Sequence, residues 1–176
     1  ETSVTEKMPH LERMETALRA INDITAILLS VFDDQMFGRV LDVIIRTTSS
    51  GLGLFGYIDE DNAMVVPSMF GEVWDKCEMS SKTIRFPQQS WGNTIWGRVI
   101  RDRKPHFTNS ASNVPIGHIE ISNVAAAPIV FGGKTIGIVM IANKPDGITP
   151  SDMELLDSIT DHLAPALNAW QVINEH

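Results

Sequence analysis

The sequence predicts one α+β domain of 176 residues, with a central antiparallel sheet of about six strands and the N- and C-terminal helices on one of its faces. Three observations carry this. Glycine-free stretches with apolar residues in steps of three and four stand at both ends of the chain. Short apolar runs punctuated by turn residues fill the middle, and one short helical stretch interrupts them.

Residues 10–32 read as a long helix, with Pro9 just before it. Leu11, Met14, Leu18, Ile21, Thr25, Leu28 and Phe32 form a coiled-coil seam weakened by Thr25. Asp33-Asp34 then supplies an N-cap signal for a second helix over 35–49. Its residues Met36, Phe37, Val40, Leu41, Ile44 and Ile45 make a wide apolar face suited to a sheet. Gly51 ends it, and 52–58 follows as an apolar strand.

The polar turn 59–62 returns the chain as a strand over 63–70, where Pro67 favours an edge or strand-end position. Residues 71–81 read as a short helix or loop, 83–86 as a short strand, 93–103 as a helix stopped by Lys104-Pro105, and 106–108 as a strand. Residues 109–121 are the longest irregular stretch, of the kind that tends to carry function. Strands 124–131 and 135–143 meet at Gly132-Gly133, a hairpin signal. Thr149 as N-cap, Pro150 at N1 and Asp152 at N3 open the last helix. There Leu156, Ile159, Leu163, Ala166, Trp170 and Ile173 step by three and four, and Pro165 is expected to kink it.

Hydrophobic residues make up 43% and charged residues 20%, as in an ordinary globular domain. A net charge of −8 without a long basic run argues against a nucleic-acid partner. The basic residues Arg101, Arg103 and Lys104 read as complements to a helix C-terminus. Cys77 is the single cysteine, so no disulfide within the chain and no cysteine-rich zinc site is expected. The apolar runs fall far short of the roughly 20 residues that a bilayer requires. No membrane insertion is expected, the lean is cytoplasmic, and the chain reads as a module of a longer protein.

The stretch 96–105, Trp-Gly-Arg-Val-Ile-Arg-Asp-Arg-Lys-Pro, resembles the helix end of GAF domains, and 106–110 resembles the strand that follows it. The fullest match is 127–144, from Ala127-Pro128 through Gly132-Gly133 and Ile136-Gly137 to Asn143-Lys144. It resembles the family's "V-P-L-x-x-x-G-x-x-I-G-V-I-x-L-x-N-K" hairpin. The resemblance runs in order over about 33–170. It divides the chain into a connector helix (1–32), a GAF sensor domain (33–170) and the start of a linker helix (171–176).

That resemblance implies a GAF fold with a ligand pocket on the sheet face opposite the terminal helices. It implies a non-catalytic sensory module of a larger signalling protein, such as a two-component sensor histidine kinase, with its output domain in the same polypeptide. The pocket is expected to be bordered by Phe55, Trp74, Trp91, Trp96, Asn109 and His118 and to take a small-molecule ligand. For the aromatics, plain core packing is an equal alternative. Residues 117–124 resemble the chromophore-attachment stretch of phytochrome-like GAF domains, but Gly117 stands where the thiol would be, so no covalent bilin is expected. A haem held by His106 or His118, a non-covalent tetrapyrrole at His118 and a cyclic nucleotide remain as cofactor alternatives. Asn143-Lys144, Ile148 and Asp152-Met153 follow the outline of a cyclic-nucleotide GAF motif. A Lys144–Asp152 clamp stands there against simple helix capping by Asp152. The two terminal seams together predict a homodimer through the terminal helices. Competing readings are a constitutive dimerisation spacer without ligand, and an enzyme resembling the free methionine sulfoxide reductases. Those use several cysteines, where this chain has one.

Overall fold

In the computed structural model, residues 4–30, 33, 35–69, 85–110 and 120–174 are described. Helix α1 spans Val4–Ser30. It starts ahead of Pro9 rather than after it and gives up the one ladder bond that residue 9 would donate to the Thr5 carbonyl. Asp33 opens α2, Gln35–Thr48, by accepting the Gln35 N–H on Oδ1 at 2.9 Å.

Strands β1 (Leu52–Ile58) and β2 (Met64–Met69) are joined through Asp59, whose Oδ1 accepts the N–H groups of Asp61 and Ala63. Among the described residues, strand β3, Arg85–Phe86, pairs with Met64 and Val65, and Pro67 lies beyond that pairing. Helix α3, Ile95–Asp102, is capped by Thr94, which accepts from the Gly97 N–H, and ends at Arg103 in the left-handed region with φ 57°. Strand β4 is His106–Thr108, β5 is Val124–Phe131 and β6 is Lys134–Ala142. Gly132 and Gly133, at φ 58° and 77°, make the β5–β6 turn, which demands two positive φ values.

Helix α4, Pro150–Asn174, runs through Pro165. Its start is a reciprocal cap, as read from the sequence. Asp152 Oδ2 accepts from the Thr149 N–H at 2.8 Å, while the Asp152 N–H donates to Thr149 Oγ1 at 3.3 Å.

The six strands are antiparallel in the order β3-β2-β1-β6-β5-β4. One face is covered by α2 and α4, and α1 packs on those two helices. Its core joins Ile24, Phe37, Leu41 and Ile44 to Phe55, Val139 and Ile141 and to Leu156, Ile159 and Leu163. Gly137 has no room for a side chain there: a Cβ would stand 2.6 Å from Leu167 Cδ2 and 2.8 Å from the Gly56 carbonyl oxygen. The other face carries α3 alone among the described helices, with Leu54, Ile58, Met64, Val66, Ala126 and Ile138 against Trp91 and Val99.

Two findings correct the seam expectation. On α4, Leu156, Ile159, Leu163 and Trp170 are buried against the chain's own sheet, so only Ile173 of that stripe is strongly exposed. On α1, Ala20 and Ile24 are buried, whereas Leu11, Met14 and Leu18 are open to solvent. Thr25 is a polar pin between the helices, 2.6 Å from His162 Nε2. Its hydroxyl proton goes to the Ile21 carbonyl at 2.7 Å, so the histidine Nε2 is the donor. No described helix is long and apolar enough to cross a membrane.

Candidate functional site

The α3 face is the natural place for a site, because its apolar side chains are only partly covered. Leu52, Ile95, Trp96, Ile100 and Met140 are half-buried there, around the buried Leu54, Ala126 and Ile138. Toward the start of β5, Ile121, Val124 and Ala142 continue the apolar floor under Ile95. Amphipathic packing fixes α3 over it, and Thr135 Oγ1 donates to the Ile100 carbonyl at 3.0 Å.

The structure brings together two of the six residues expected to border the pocket. Trp91 and Trp96 meet edge-to-face at 5.8 Å between ring centroids, with Phe86 5.6 Å from Trp96. The Trp91 indole N–H donates to the Phe86 carbonyl at 3.0 Å, so this ring is a satisfied core residue. Trp96 remains half-buried at the margin of the floor. Trp74 and His118 lie outside the described residues, as do Cys77 and Gly117.

Phe55 needs correction, and Asn109 has a structural role. Phe55 is fully buried on the opposite face, 4.7 Å from Phe37, beneath the terminal helices. Leu52 to Ile58 is apolar toward both faces, and its register shifts between Phe55 and Tyr57, so alternation could not assign the side of this ring. Asn109 is a structural clip at the end of β4. Its Oδ1 accepts from the Ile148 N–H at 2.7 Å and its Nδ2 donates to the Ile148 carbonyl at 3.1 Å.

His106 projects on the α3 face from an edge strand. Its Nε2 is buried and 3.5 Å from Asp102 Oδ2, too long for a good hydrogen bond. That nitrogen is turned toward the carboxylate, a poor presentation for an iron ligand. Among the described residues no group of three metal-ligating side chains converges.

What the sequence outline did mark is the polar seam where β6 leaves the sheet. Lys144 Nζ donates to both carboxylate oxygens of Asp152 at 2.8 Å, and Asp152 simultaneously caps α4 through Thr149. Clamp and cap, posed as alternatives, are both present. Sequence reasoning named Asn143 only as part of a motif and missed Asn123, its partner at the start of β5. Asn123 accepts from the Lys144 N–H at 2.9 Å and donates to the Lys144 carbonyl at 2.8 Å. Asn143, at φ 55°, accepts the Ser122 N–H at 2.8 Å and donates to the Glu120 carbonyl at 2.9 Å. An asparagine directly after a strand, a residue type that tolerates the left-handed region, was the available signal.

The geometry agrees with comparisons to known proteins. The chain is 25% identical over 156 residues, covering 80% of its length, to the methyl sulfide methyltransferase-associated sensor of Methanosarcina acetivorans. It spans only 15% of that protein's length. The GAF domain of nlh2 from A. aeolicus, in an inactive state, superposes with a TM-score of 0.67 at 20% identity, covering 89% of this chain and 98% of that one. Free methionine-R-sulfoxide reductase from Neisseria meningitidis superposes with a TM-score of 0.67 at 13% identity, over 89% and 91% of the two chains. These two show the fold alone. The GAF domain family model matches residues 33–168, most of the chain, and the chain belongs to the GAF domain family.

Proposed function

We propose that this chain is a non-catalytic sensory module of a longer signalling protein, which binds a small molecule against the α3 face of its sheet and passes the bound state on through its terminal helices. The observation that carries this is the asymmetry of cover. Helices α2 and α4, with α1 packed over them, cover one face, while a single eight-residue helix among the described ones leaves a half-buried apolar floor on the other. Small-molecule sites are lined mostly by apolar and aromatic side chains with few polar groups, as this floor is. The curated relative is itself a sensor, which supports the class of function. Native mass spectrometry of the chain purified from its own host tests the reading. Retained small-molecule mass is the expected result, and a bare polypeptide mass favours the spacer alternative.

Self-association is the second part of the proposal. Leu11 and Leu18 are 60% and 63% exposed, and with Met14 they form a stripe at three-four spacing on the first half of α1. A second copy, placed about a two-fold axis, covers this stripe with its own. The interface rests on α1 alone, because the α4 stripe is already spent on the sheet. Sedimentation of the wild-type chain and of Leu18→Glu at micromolar concentration decides it: a dimer that the substitution dissociates is expected, and a wild-type monomer removes the proposal. Two such copies would present paired α4 ends to an output domain such as a histidine kinase.

A further inference from the structure

We infer that Asn109, Asn123 and Asn143 form a three-amide clasp that makes both ends of the β4–β5 connection and the entry to α4 a single mechanical unit. The connection leaves β4 at Asn109 and returns at Glu120 to Asn123. Both ends are bonded to the short segment that leads from β6 into α4. At the departing end, Asn109 closes a two-bond ring with the backbone of Ile148. Gly147 passes so close that a Cβ there would stand 3.0 Å from Asn109 Oδ1.

At the returning end the bonds are denser. Asn143 holds Glu120 and Ser122 through its side chain and donates its own N–H to the Asn123 carbonyl at 3.0 Å. Asn123, only 6% exposed, answers with its two-bond ring to Lys144. From Lys144 the path continues through the ammonium to Asp152 and the cap of α4. The carbonyl of Asn143 also accepts from the Gly51 N–H, which ties in the junction between α2 and β1.

Physical consequences follow from this wiring. A side-chain amide that pairs with both backbone groups of one residue fixes distance and orientation together, as a strand neighbour would. A shift at either end of the connection is therefore delivered to residues 143–152 without distorting the interior of the sheet. Far along α4, Gln171 donates to the Ile58 carbonyl at 2.9 Å, so the helix is held at both ends of the sheet and a displacement of its first turn becomes a tilt. The direction of signalling rests on the sensory reading above; the clasp itself does not.

Amide hydrogen exchange on the full chain by NMR tests the clasp, with Asn109→Ala as the perturbation. Among the described residues the Asn109 side chain bonds the Ile148 backbone and lies against Gly147, and it is at the surface, so the fold is retained. The expected result is acceleration, by about fivefold or more, at the Ser122, Asn143 and Lys144 amides as well as at Ile148. The Val139 and Ile141 amides in the sheet interior should remain unchanged. Asn109→Asp keeps the acceptor for the Ile148 N–H and loses the donor, and should give a smaller effect at the same positions. Acceleration at Ile148 alone overturns the proposal, and so does equal acceleration at Val139 and Ile141. If the chain retains no small molecule yet shows the shared acceleration, the clasp stands and the sensory reading falls.

Discussion

Replacing Lys144 with Met leaves Asp152 as a carboxylate with only 7% of its residue surface exposed and no cation beside it. The magnitude follows from what remains. The ammonium contacts both oxygens at 2.8 Å, and the carboxylate keeps two neutral donors, the Thr149 N–H and hydroxyl. Breaking a fully buried pair costs about 3–5 kcal/mol, while an exposed pair is worth about 0–1 kcal/mol. The Lys144 side chain is 20% exposed, and its partner stays hydrogen-bonded, so the cost lies between those limits. We expect about 2 kcal/mol, or a fall in Tm of roughly 4–8 °C for a domain of this size. Urea unfolding followed by circular dichroism measures it, with an unchanged m-value showing that the unfolded state is the same. Lys144→Met combined with Asp152→Asn should cost less than Lys144→Met alone, because no orphaned charge is left. A single variant within about 0.5 kcal/mol of wild type, the level of an ordinary surface change, would refute the buried-clamp account.

Three further outcomes are expected. Phe55→Ala should lose about 3–5 kcal/mol in the same unfolding assay, whereas Trp96→Ala, at a half-buried margin, should lose clearly less; equal losses would contradict the placement of the two rings on different faces. Gly137→Ala should destabilise the domain by more than about 1 kcal/mol, since the new Cβ meets a backbone carbonyl that cannot retreat; a neutral result would show the hairpin is looser than described. The Asp157 carboxyl is raised above its ordinary value by partial burial and then by the neighbouring Asp161, and α4 carries no Lys or Arg to offset it. A folded-state pKa above the unfolded one means that the native state binds the extra proton, so this group favours folding at acid pH and the benefit is lost as pH rises through the carboxylate range. Asp157→Asn should therefore raise Tm at neutral pH and have little effect in acid; a pH-independent shift would assign the effect to helix propensity instead.

Much of the fold could be read from local chemistry. The Thr149-Pro150-x-Asp152 start of α4, the Gly132-Gly133 turn and the Asp59 turn each have one good structural solution, and each appears as expected. The tilt of the reading toward a sheet with terminal helices on one face followed from those boundaries. Side-chain placement was harder. Strand β1 is apolar in both directions, so nothing local tells that Leu54 faces α3 and Phe55 faces α2. The α4 stripe looked like an intermolecular seam because three-four spacing is the same whether a helix packs on its own sheet or on another chain. The Asn clasp was invisible for another reason. Its partners lie 21 to 39 residues apart, and a bond between a side-chain amide and a distant backbone leaves no periodic trace. Only the Lys144–Asp152 pair, close in sequence, was legible as a contact.

The central claim is that a small molecule binds on the α3 face, and native mass spectrometry of three versions of the chain from the same host tests it most directly. Met140→Trp fills the half-buried floor between Leu52 and Ile95. Leu18→Glu alters only the exposed stripe of α1. The account predicts that wild type and Leu18→Glu carry the same additional non-covalent mass per chain, and that Met140→Trp, still folded by circular dichroism, has lost it. Retention of that mass by folded Met140→Trp, or its absence from the wild-type chain, would contradict the account.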